Sequence, residues 1–176
     1  MKKLILVLSL LLMMTSCGKA ANYIEINSQD VDMSLYRKME STNHHFKLID
    51  PSEISRVIDE EGSAIFYIGN SYCPTCNKMV YLMEEAAKKS EKTIYYFDTI
   101  TSGYKEEDPV IVELIDDLKD VLYTDERGNK VLNTPHVLVV KNGEIIASAI
   151  GKLDPGNEDF VTYVTNYYLK MFNKLK

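Results

Sequence analysis

The 176-residue chain lacks several features that mark particular classes of protein. It has 20 basic residues against 26 acidic ones and no basic stripe, which argues against nucleic acid as a partner. It shows no internal repeat and no low-complexity tract. With 45% hydrophobic and 26% charged residues, the composition is that of one globular domain with short additional segments.

Long hydrophobic runs are also missing, apart from Leu4 to Met14. This run is too short to span a bilayer comfortably, and it follows two lysines, so residues 1–16 are interpreted as a secretory signal peptide. The next stretch, Met14-Thr15-Ser16-Cys17, resembles the signal of bacterial lipoproteins, with methionine where leucine is usual. That resemblance implies lipidation of Cys17. We therefore expect an exported chain, anchored by lipid at the outer face of the bacterial cytoplasmic membrane.

Cysteines are few: the chain has three. If Cys17 carries lipid, only Cys73 and Cys76 remain, two residues apart. A single pair this close in sequence does not make a disulfide-stapled scaffold, because closing so short a loop removes little entropy from the unfolded chain. The pair is therefore a candidate for chemistry or for metal binding.

The elements around this pair follow an alternating α/β order. Residues 17–45 are polar and mixed, and we interpret them as a tether, with a possible edge strand at residues 23–26. The domain is expected over residues 46–176. A strand near residue 46, a helix opened by Asp50-Pro51, a buried strand at Ala64 to Ile68, a helix after the cysteines and a strand at Thr93 to Phe97 follow in turn. Strands alternating with helices predict a layered domain with parallel pairing.

The second half of the chain has a different pattern. Asp108-Pro109 opens another helix, a polar turn lies at residues 125–129, and two β-rich runs flank Asn142-Gly143, which is a strong hairpin signal. A last amphipathic helix is predicted from about residue 157.

The position of the cysteines, after a buried strand and at the start of a helix, favours redox chemistry. The unpaired N–H groups and the positive dipole end of a helix N-terminus stabilise a thiolate, so Cys73 is expected to have a lowered pKa. Cys73 is then the candidate nucleophile and Cys76, one turn away, the candidate resolving thiol. Pro74 suits the first helical position.

Residues 63–174 resemble a thioredoxin-fold protein, through Cys73-Pro74-Thr75-Cys76 and the segment TPHVLVVKNGEIIASAIG at residues 134–151. The resemblance implies a three-layer α/β fold with a central mixed sheet, flanking helices and a helical insertion, within residues 99–133, before the strand of the cis-proline. It also implies that Pro135 is the cis-proline, that Gly151 is the closing glycine, and that Thr134 binds a partner peptide. The other substrate-binding candidates are Tyr72, Pro74 and Thr75.

Two positions depart from the thioredoxin pattern. Tyr67 stands where a buried aspartate is usual, so the usual proton handler for Cys76 is missing. Tyr72 stands where tryptophan is usual. The combination of lipidation, export and this fold is similar to the bacteriocin transport accessory proteins of Gram-positive bacteria.

Three functions remain open from the sequence. The first is an envelope thiol–disulfide oxidoreductase without a cofactor, whose partners are an exported cysteine-containing protein or peptide and a membrane redox partner. The second is a copper-binding protein that uses Cys73, Cys76 and His136, since soft thiolates suit Cu(I). The third is a non-enzymatic accessory module for peptide or bacteriocin export. His136 is otherwise expected to be a partly exposed residue at a strand start. If it lies close to Cys73, its positive form would further stabilise the thiolate.

Overall fold

The structure, a computed structural model, describes residues 19–176. The predicted signal peptide and the lipidation site at Cys17 lie outside the described residues. Among the helices of this described part, none is long and apolar enough to cross a membrane.

Six strands form one mixed sheet, with four helices around it. The strands of the sheet are β1 (Ser28–Asp30), β2 (Phe46–Ile49), β3 (Ala64–Gly69), β4 (Ile94–Asp98), β7 (His136–Lys141) and β8 (Glu144–Ile150). A separate two-stranded sheet consists of β5 (Tyr123–Thr124) and β6 (Lys130–Val131). The helices are α1 (Ser52–Asp59), α2 (Pro74–Ser90), α3 (Pro109–Leu118) and α4 (Phe160–Phe172), and a short 3₁₀ turn (Asn173–Leu175) follows α4.

The order of strands across the sheet is β1-β2-β4-β3-β7-β8. The three strands β2, β4 and β3 run parallel, whereas β7 is antiparallel to β3, β8 to β7 and β1 to β2. Because β3 is an inner strand of the sheet, its C-terminal end lies between the ends of β4 and β7. The cysteines therefore follow β3 at the C-terminal end of the inner strands.

Helices cover both faces of the sheet, which gives three layers. Helices α2 and α4 pack together on one face, and α1 and α3 pack together on the other. Alternate side chains of a strand point to opposite faces, so Ile65 and Tyr67 of β3 join the core under α2, whereas Phe66 and Ile68 join the core under α1. All six residues of β3 are buried, which explains its continuous apolar run. The predicted thioredoxin-like three-layer fold with a central mixed sheet is confirmed.

The connections agree with the local signals. Asn142 and Gly143 both have positive φ, 53° and 79°, as a two-residue hairpin turn between β7 and β8 requires. A Cβ at Gly143 would lie 2.6 Å from the carbonyl oxygen of Ile58, so glycine also serves a close approach of two chain segments. The helix predicted before the cis-proline strand is α3, and the polar turn at residues 125–129 joins β5 to β6.

The structure corrects the interpretation of residues 19–45 as a tether. Strand β1 pairs with β2 as the edge of the sheet, and it lies at residues 28–30 rather than at 23–26. Met33 and Tyr36 are buried in the core under α2. The side chain of Asn27 and its backbone N–H both bond the carboxylate of Glu53. This segment is polar in sequence, but Met33 and Tyr36 point into the core, and it belongs to the folded domain.

Candidate active site

The two cysteines lie at the N-terminus of α2, directly after the loop that follows β3. Cys73 is the N-cap residue of α2 and Pro74 is its first residue. The backbone N–H of Cys76 donates a hydrogen bond to the Cys73 sulfur, with an N···Sγ distance of 3.1 Å. Both cysteines are free thiols. The helix thus directs one of its unpaired N–H groups at the outer sulfur, as its position in the sequence predicts.

Two asparagines hold the loop around Cys73. Asn70 Oδ1 accepts hydrogen bonds from the backbone N–H groups of Tyr72 and Cys73, at 3.1 and 3.0 Å. Asn77 Nδ2 donates to the backbone carbonyls of Ser71 and Cys73, at 2.5 and 3.2 Å. Sequence reasoning missed both residues. The signal for Asn70 was present, because an asparagine side chain that bonds the backbone two residues on is a common way to build a turn.

The pKa values of the two thiols are shifted in opposite directions. Burial alone would raise the pKa of Cys73, but hydrogen bonds from Cys76 outweigh it, and the pKa of Cys73 lies below its ordinary value. Burial raises the pKa of the Cys76 thiol to about 11, and the hydrogen bond between the two thiols adds to this shift. Cys73 is half-buried and Cys76 is fully buried. The outer sulfur is therefore the more acidic and the more accessible of the two.

The segment before β7 lies against the outer cysteine. The peptide bond between Thr134 and Pro135 is cis, and the Cys73 Sγ lies 3.7 Å from the carbonyl oxygen of Thr134. The backbone N–H of Gly151 donates to the Pro135 carbonyl at 2.8 Å, which joins the end of β8 to this segment. The structure thus brings together Cys73 and Thr134, which are 61 residues apart in sequence.

The predicted substrate-binding residues surround Cys73 with different exposures. Tyr72 is 75% exposed and Pro74 is exposed, whereas Thr75 and Thr134 are half-buried and Pro135 is buried. Tyr72 therefore holds a large aromatic ring in solvent directly before Cys73 in the chain.

His136 lies on the other side of the sheet from the cysteines. Its side chain alternates with that of Val137, which joins the core under α2, so His136 points to the face of α1 and α3 with Leu138. It is fully buried, its Nε2 pairs with Ser148 Oγ at 2.8 Å, and burial lowers its pKa to about 4. The expectations of a partly exposed residue, of a cation beside the thiolate and of a copper ligand next to both cysteines are therefore wrong.

The described residues, 19–176, contain no group of three His, Cys, Asp or Glu side chains placed to hold a metal ion. With His136 on the opposite face, the third ligand named in the copper hypothesis does not lie beside the cysteine pair.

Tyr67 lies beneath Cys76, at the position where the resemblance expects a carboxylate. It is fully buried, and its hydroxyl lies 3.3 Å from that of Tyr36, which in turn lies 2.8 Å from the hydroxyl of Tyr96. Sequence reasoning did not foresee this cluster, because its members are 29 to 60 residues apart. The fully buried Tyr67 supplies a polar group next to the inner cysteine.

Solved structures of thioredoxins are similar to the chain in overall fold. Thioredoxin from Aeropyrum pernix has 16% sequence identity and a TM-score of 0.44, over 73% of this chain and 85% of that one. Oxidized thioredoxin O2 from Arabidopsis thaliana has 13% identity and a TM-score of 0.45, over 74% and 97%. No family model matches the chain, and no curated protein sequence does. Identities and TM-scores this low say nothing about chemistry, so the function is inferred from the geometry of the site.

Proposed function

We propose that the protein is a thiol–disulfide oxidoreductase that uses Cys73 as its nucleophile and Cys76 as its resolving thiol. The observation that carries this proposal is the asymmetry of the pair. The outer sulfur accepts an N–H from the start of α2 and has a lowered pKa, whereas the inner sulfur is buried and has a raised pKa. Attack on a disulfide requires a thiolate with access to solvent, and only Cys73 meets both conditions.

The chemistry proceeds in two exchanges. The Cys73 thiolate attacks one sulfur of a substrate disulfide, which forms a mixed disulfide and releases the other substrate sulfur as a thiolate. Cys76 then loses its proton and attacks the Cys73 sulfur, so the Cys73–Cys76 bond forms and the second substrate sulfur leaves. Two electrons pass from the cysteine pair to the substrate, and the reverse sequence oxidises a substrate dithiol.

The surface beside Cys73 suits an extended peptide as the substrate. The backbone carbonyl of Thr134 lies next to the Cys73 sulfur, and Tyr72, which directly precedes Cys73 in the chain, is exposed. A cysteine-containing peptide that pairs with the backbone of Thr134 would place its sulfur within reach of Cys73. Pro74, Thr75 and Pro135 complete this contact surface.

A trapping experiment tests the proposal. Cys76→Ser should accumulate a mixed disulfide with an oxidised cysteine peptide, because the second exchange is blocked. The matched control is Cys73→Ser, which should form no such adduct because Cys76 is buried. If neither variant nor the wild type forms an adduct or reduces the peptide, the oxidoreductase proposal fails, and a non-enzymatic accessory module becomes the favoured alternative.

We further propose that the protein acts at the outer face of the cytoplasmic membrane, held there by lipid on Cys17, with an exported protein or peptide as substrate and a membrane protein as redox partner. This rests on the signal-like residues 1–16, and it makes the protein similar to the bacteriocin transport accessory proteins. Metabolic labelling with a radioactive fatty acid should mark the wild type, and Cys17→Ala should lose the label and leave the membrane fraction. Labelling that persists in Cys17→Ala would refute the anchor.

A further inference from the structure

The start of the described chain is fastened to one end of the sheet. Asn142, in the turn between β7 and β8, accepts the backbone N–H of Asn22 at 2.7 Å and donates to the carbonyl of Ala20 at 3.1 Å. The side chain of Asn22 donates in turn to the carbonyl of Glu61 at 3.1 Å. Residues 20–24, which we call the docked segment, therefore hold a fixed place on the domain.

Two further side chains of the docked segment contact the same end of the sheet. The Tyr23 hydroxyl donates to the carbonyl of Leu175 at 2.7 Å and accepts from Lys92 Nζ at 3.0 Å. Ile24 packs so closely on the turn after α1 that a Cβ at Gly62 would lie 2.8 Å from its Cδ1 atom. Hydrogen bonds and apolar packing thus both hold the docked segment.

This end of the sheet is opposite to the end that carries Cys73. The register of the two strands places the start of β3 beside the end of β7. The backbone N–H of Gly143 donates to the carbonyl of Gly62 at 2.9 Å, so the turn after β7 lies next to the residues that precede β3. The loop with Cys73 follows the other end of β3.

Helix α2 gives the distance between the two ends. It begins directly after Cys73, and its 17 residues span about 25 Å at about 1.5 Å per residue. Lys92, two residues after the end of α2, contacts Tyr23 of the docked segment. Strand β7 gives a similar value, because its 6 residues span about 20 Å and both sites lie beyond its ends. The docked segment is therefore about 25 Å from Cys73.

The docked segment lies close in sequence to the proposed lipid anchor. Ala20 follows Cys17 by three residues. A stretch of this length spans about 11 Å at the most, even when it is fully extended. A lipid on Cys17 would therefore keep the docked end of the domain, rather than the Cys73 end, next to the bilayer.

The distribution of charge supports the same orientation independently. Eight acidic and two basic residues lie in the loops at the Cys73 end, which are residues 50–51, 70–73, 98–108, 132–135 and 151–159. Five acidic and four basic residues, together with the C-terminal carboxylate, lie in the turns at the docked end, which are residues 20–26, 60–63, 91–93, 141–144 and 173–176. An anionic bilayer surface repels the Cys73 end more strongly than the docked end.

We propose that the docked segment holds the domain with its Cys73 end turned away from the bilayer, so that the reactive sulfur stands about 25–35 Å above the membrane surface. This inference rests on the proposed function and on its anchor at Cys17. It names the class of substrate that the site serves: cysteines of exported chains, or of domains that extend this far from the bilayer. Disulfides close to the membrane surface should react far more slowly.

A ladder of tethered substrates tests this orientation. Lipidated full-length protein is bound to vesicles of phosphatidylcholine and phosphatidylglycerol that also carry a disulfide-bonded cysteine peptide. The peptide is joined to a lipid through a stiff polyproline spacer of about 6 or about 31 Å. The long spacer should give reduction at least about 10-fold faster than the short one, because a tethered reaction fails when the tether does not span the two sites. The same peptides without their lipid should react at equal rates.

A double variant, Asn142→Gly with Tyr23→Phe, releases the docked segment. Glycine tolerates the positive φ of the turn but lacks the side-chain bonds to the docked segment, and phenylalanine lacks the bond to Leu175. The longer free tether should let the domain tilt. Reduction of the short-spacer peptide should therefore become faster, while the peptides without lipid should keep their wild-type rate.

The matched control is Asn129→Gly. It also replaces an asparagine of a turn by glycine, but the side chain of Asn129 bonds Asp125 rather than the docked segment. This variant should show the same difference between the short and the long spacer as the wild type.

A distance measurement tests the orientation without redox chemistry. A maleimide dye is attached to Cys73, and energy transfer to acceptor lipids gives its height above the bilayer surface. The wild type should give about 25–35 Å, and the double variant should give a shorter mean height.

Three results would overturn the inference. Equal reduction of the short-spacer and long-spacer peptides by the wild type would show that Cys73 is not held away from the bilayer. A dye height well below the length of α2 would show the same. A wild-type pattern in the double variant would show that the docked segment does not set the orientation.

Failure of the underlying proposals gives different results. If the peptides without lipid are not reduced, the oxidoreductase proposal fails, and the dye height still decides the orientation. If the protein does not bind the vesicles, the anchor at Cys17 fails and the orientation fails with it.

Discussion

Alkylation of the reduced protein at pH 7 should modify Cys73 before Cys76. The perturbation is a limiting dose of iodoacetamide, which reacts with thiolates. The reason is that the two pKa values are shifted in opposite directions. The N–H of Cys76 bonds the Cys73 sulfur and helps to lower the pKa of Cys73, whereas burial raises the pKa of Cys76.

The size of the preference follows from the thiolate fractions. With a pKa of about 11, Cys76 is a thiolate in about one molecule in 10⁴ at pH 7. A cysteine at the reference pKa of 9.0 is about 1% thiolate at that pH. The pKa of Cys73 lies below this reference, so its thiolate fraction exceeds that of Cys76 by at least about 100-fold.

Nucleophilicity offsets part of this ratio. A thiolate of lower pKa attacks more slowly, with a Brønsted slope of about 0.4–0.5, which removes roughly 6- to 10-fold over a difference of about 2 pKa units. The remaining preference for Cys73 is at least about 10-fold. The burial of Cys76 should increase it further.

The assay is a differential labelling experiment. Protein is labelled briefly at pH 7, unfolded, labelled again with an isotopically heavy reagent and digested, and the ratio of light to heavy label is read for each cysteine by mass spectrometry. The same protein in denaturant is the control, and there both cysteines should label at similar rates. Equal labelling of both cysteines in the folded protein, or faster labelling of Cys76, would refute the assignment of Cys73 as nucleophile.

Three further predictions concern stability. The pKa of His136 is lowered in the folded state, so its contribution to stability is complete above the ordinary pKa of about 6.5 and is lost as the pH falls towards 4. Wild type should lose about 2–3 kcal/mol of unfolding free energy between pH 7 and 4.5 through this residue, and His136→Gln should lose that much less in urea titrations; an identical loss would contradict it. Gly69→Ala should cost about 1–3 kcal/mol by displacing the Tyr67 hydroxyl; a wild-type melting temperature would show that the hydroxyl moves freely. Met33→Ala should cost about 2–5 kcal/mol because Met33 is fully buried, whereas Leu35→Ala, at a side chain 71% exposed, should stay within about 0.5 kcal/mol; equal effects would return this segment to the status of a tether.

Much of the site could be predicted from the sequence because its signals are local. The order of strands and helices follows from side-chain periodicity, and the strand before Cys73 was recognisable as a continuous apolar run. The Asn142-Gly143 turn has the backbone angles that these residue types favour. The motif resemblance, rather than any periodicity, supplied the expectation that Thr134 and Pro135 lie beside Cys73.

His136 shows where such signals fail. Strand β7 is buried on both faces, so its sequence does not alternate between polar and apolar residues. Nothing local therefore tells which face a given side chain takes. The register with β3 decides it, and that register places His136 away from the cysteines.

The sequence by itself determined the elements of this protein, their order and the position of the Cys73 thiol at a helix start, because these depend on residues within a few positions of one another. Only the tertiary structure decided that residues 19–45 are part of the domain, that His136 lies on the opposite face, and that Tyr36, Tyr67 and Tyr96 meet beneath Cys76. Those outcomes depend on the order of strands in the sheet and on the packing of side chains 29 to 60 residues apart, which no local pattern encodes.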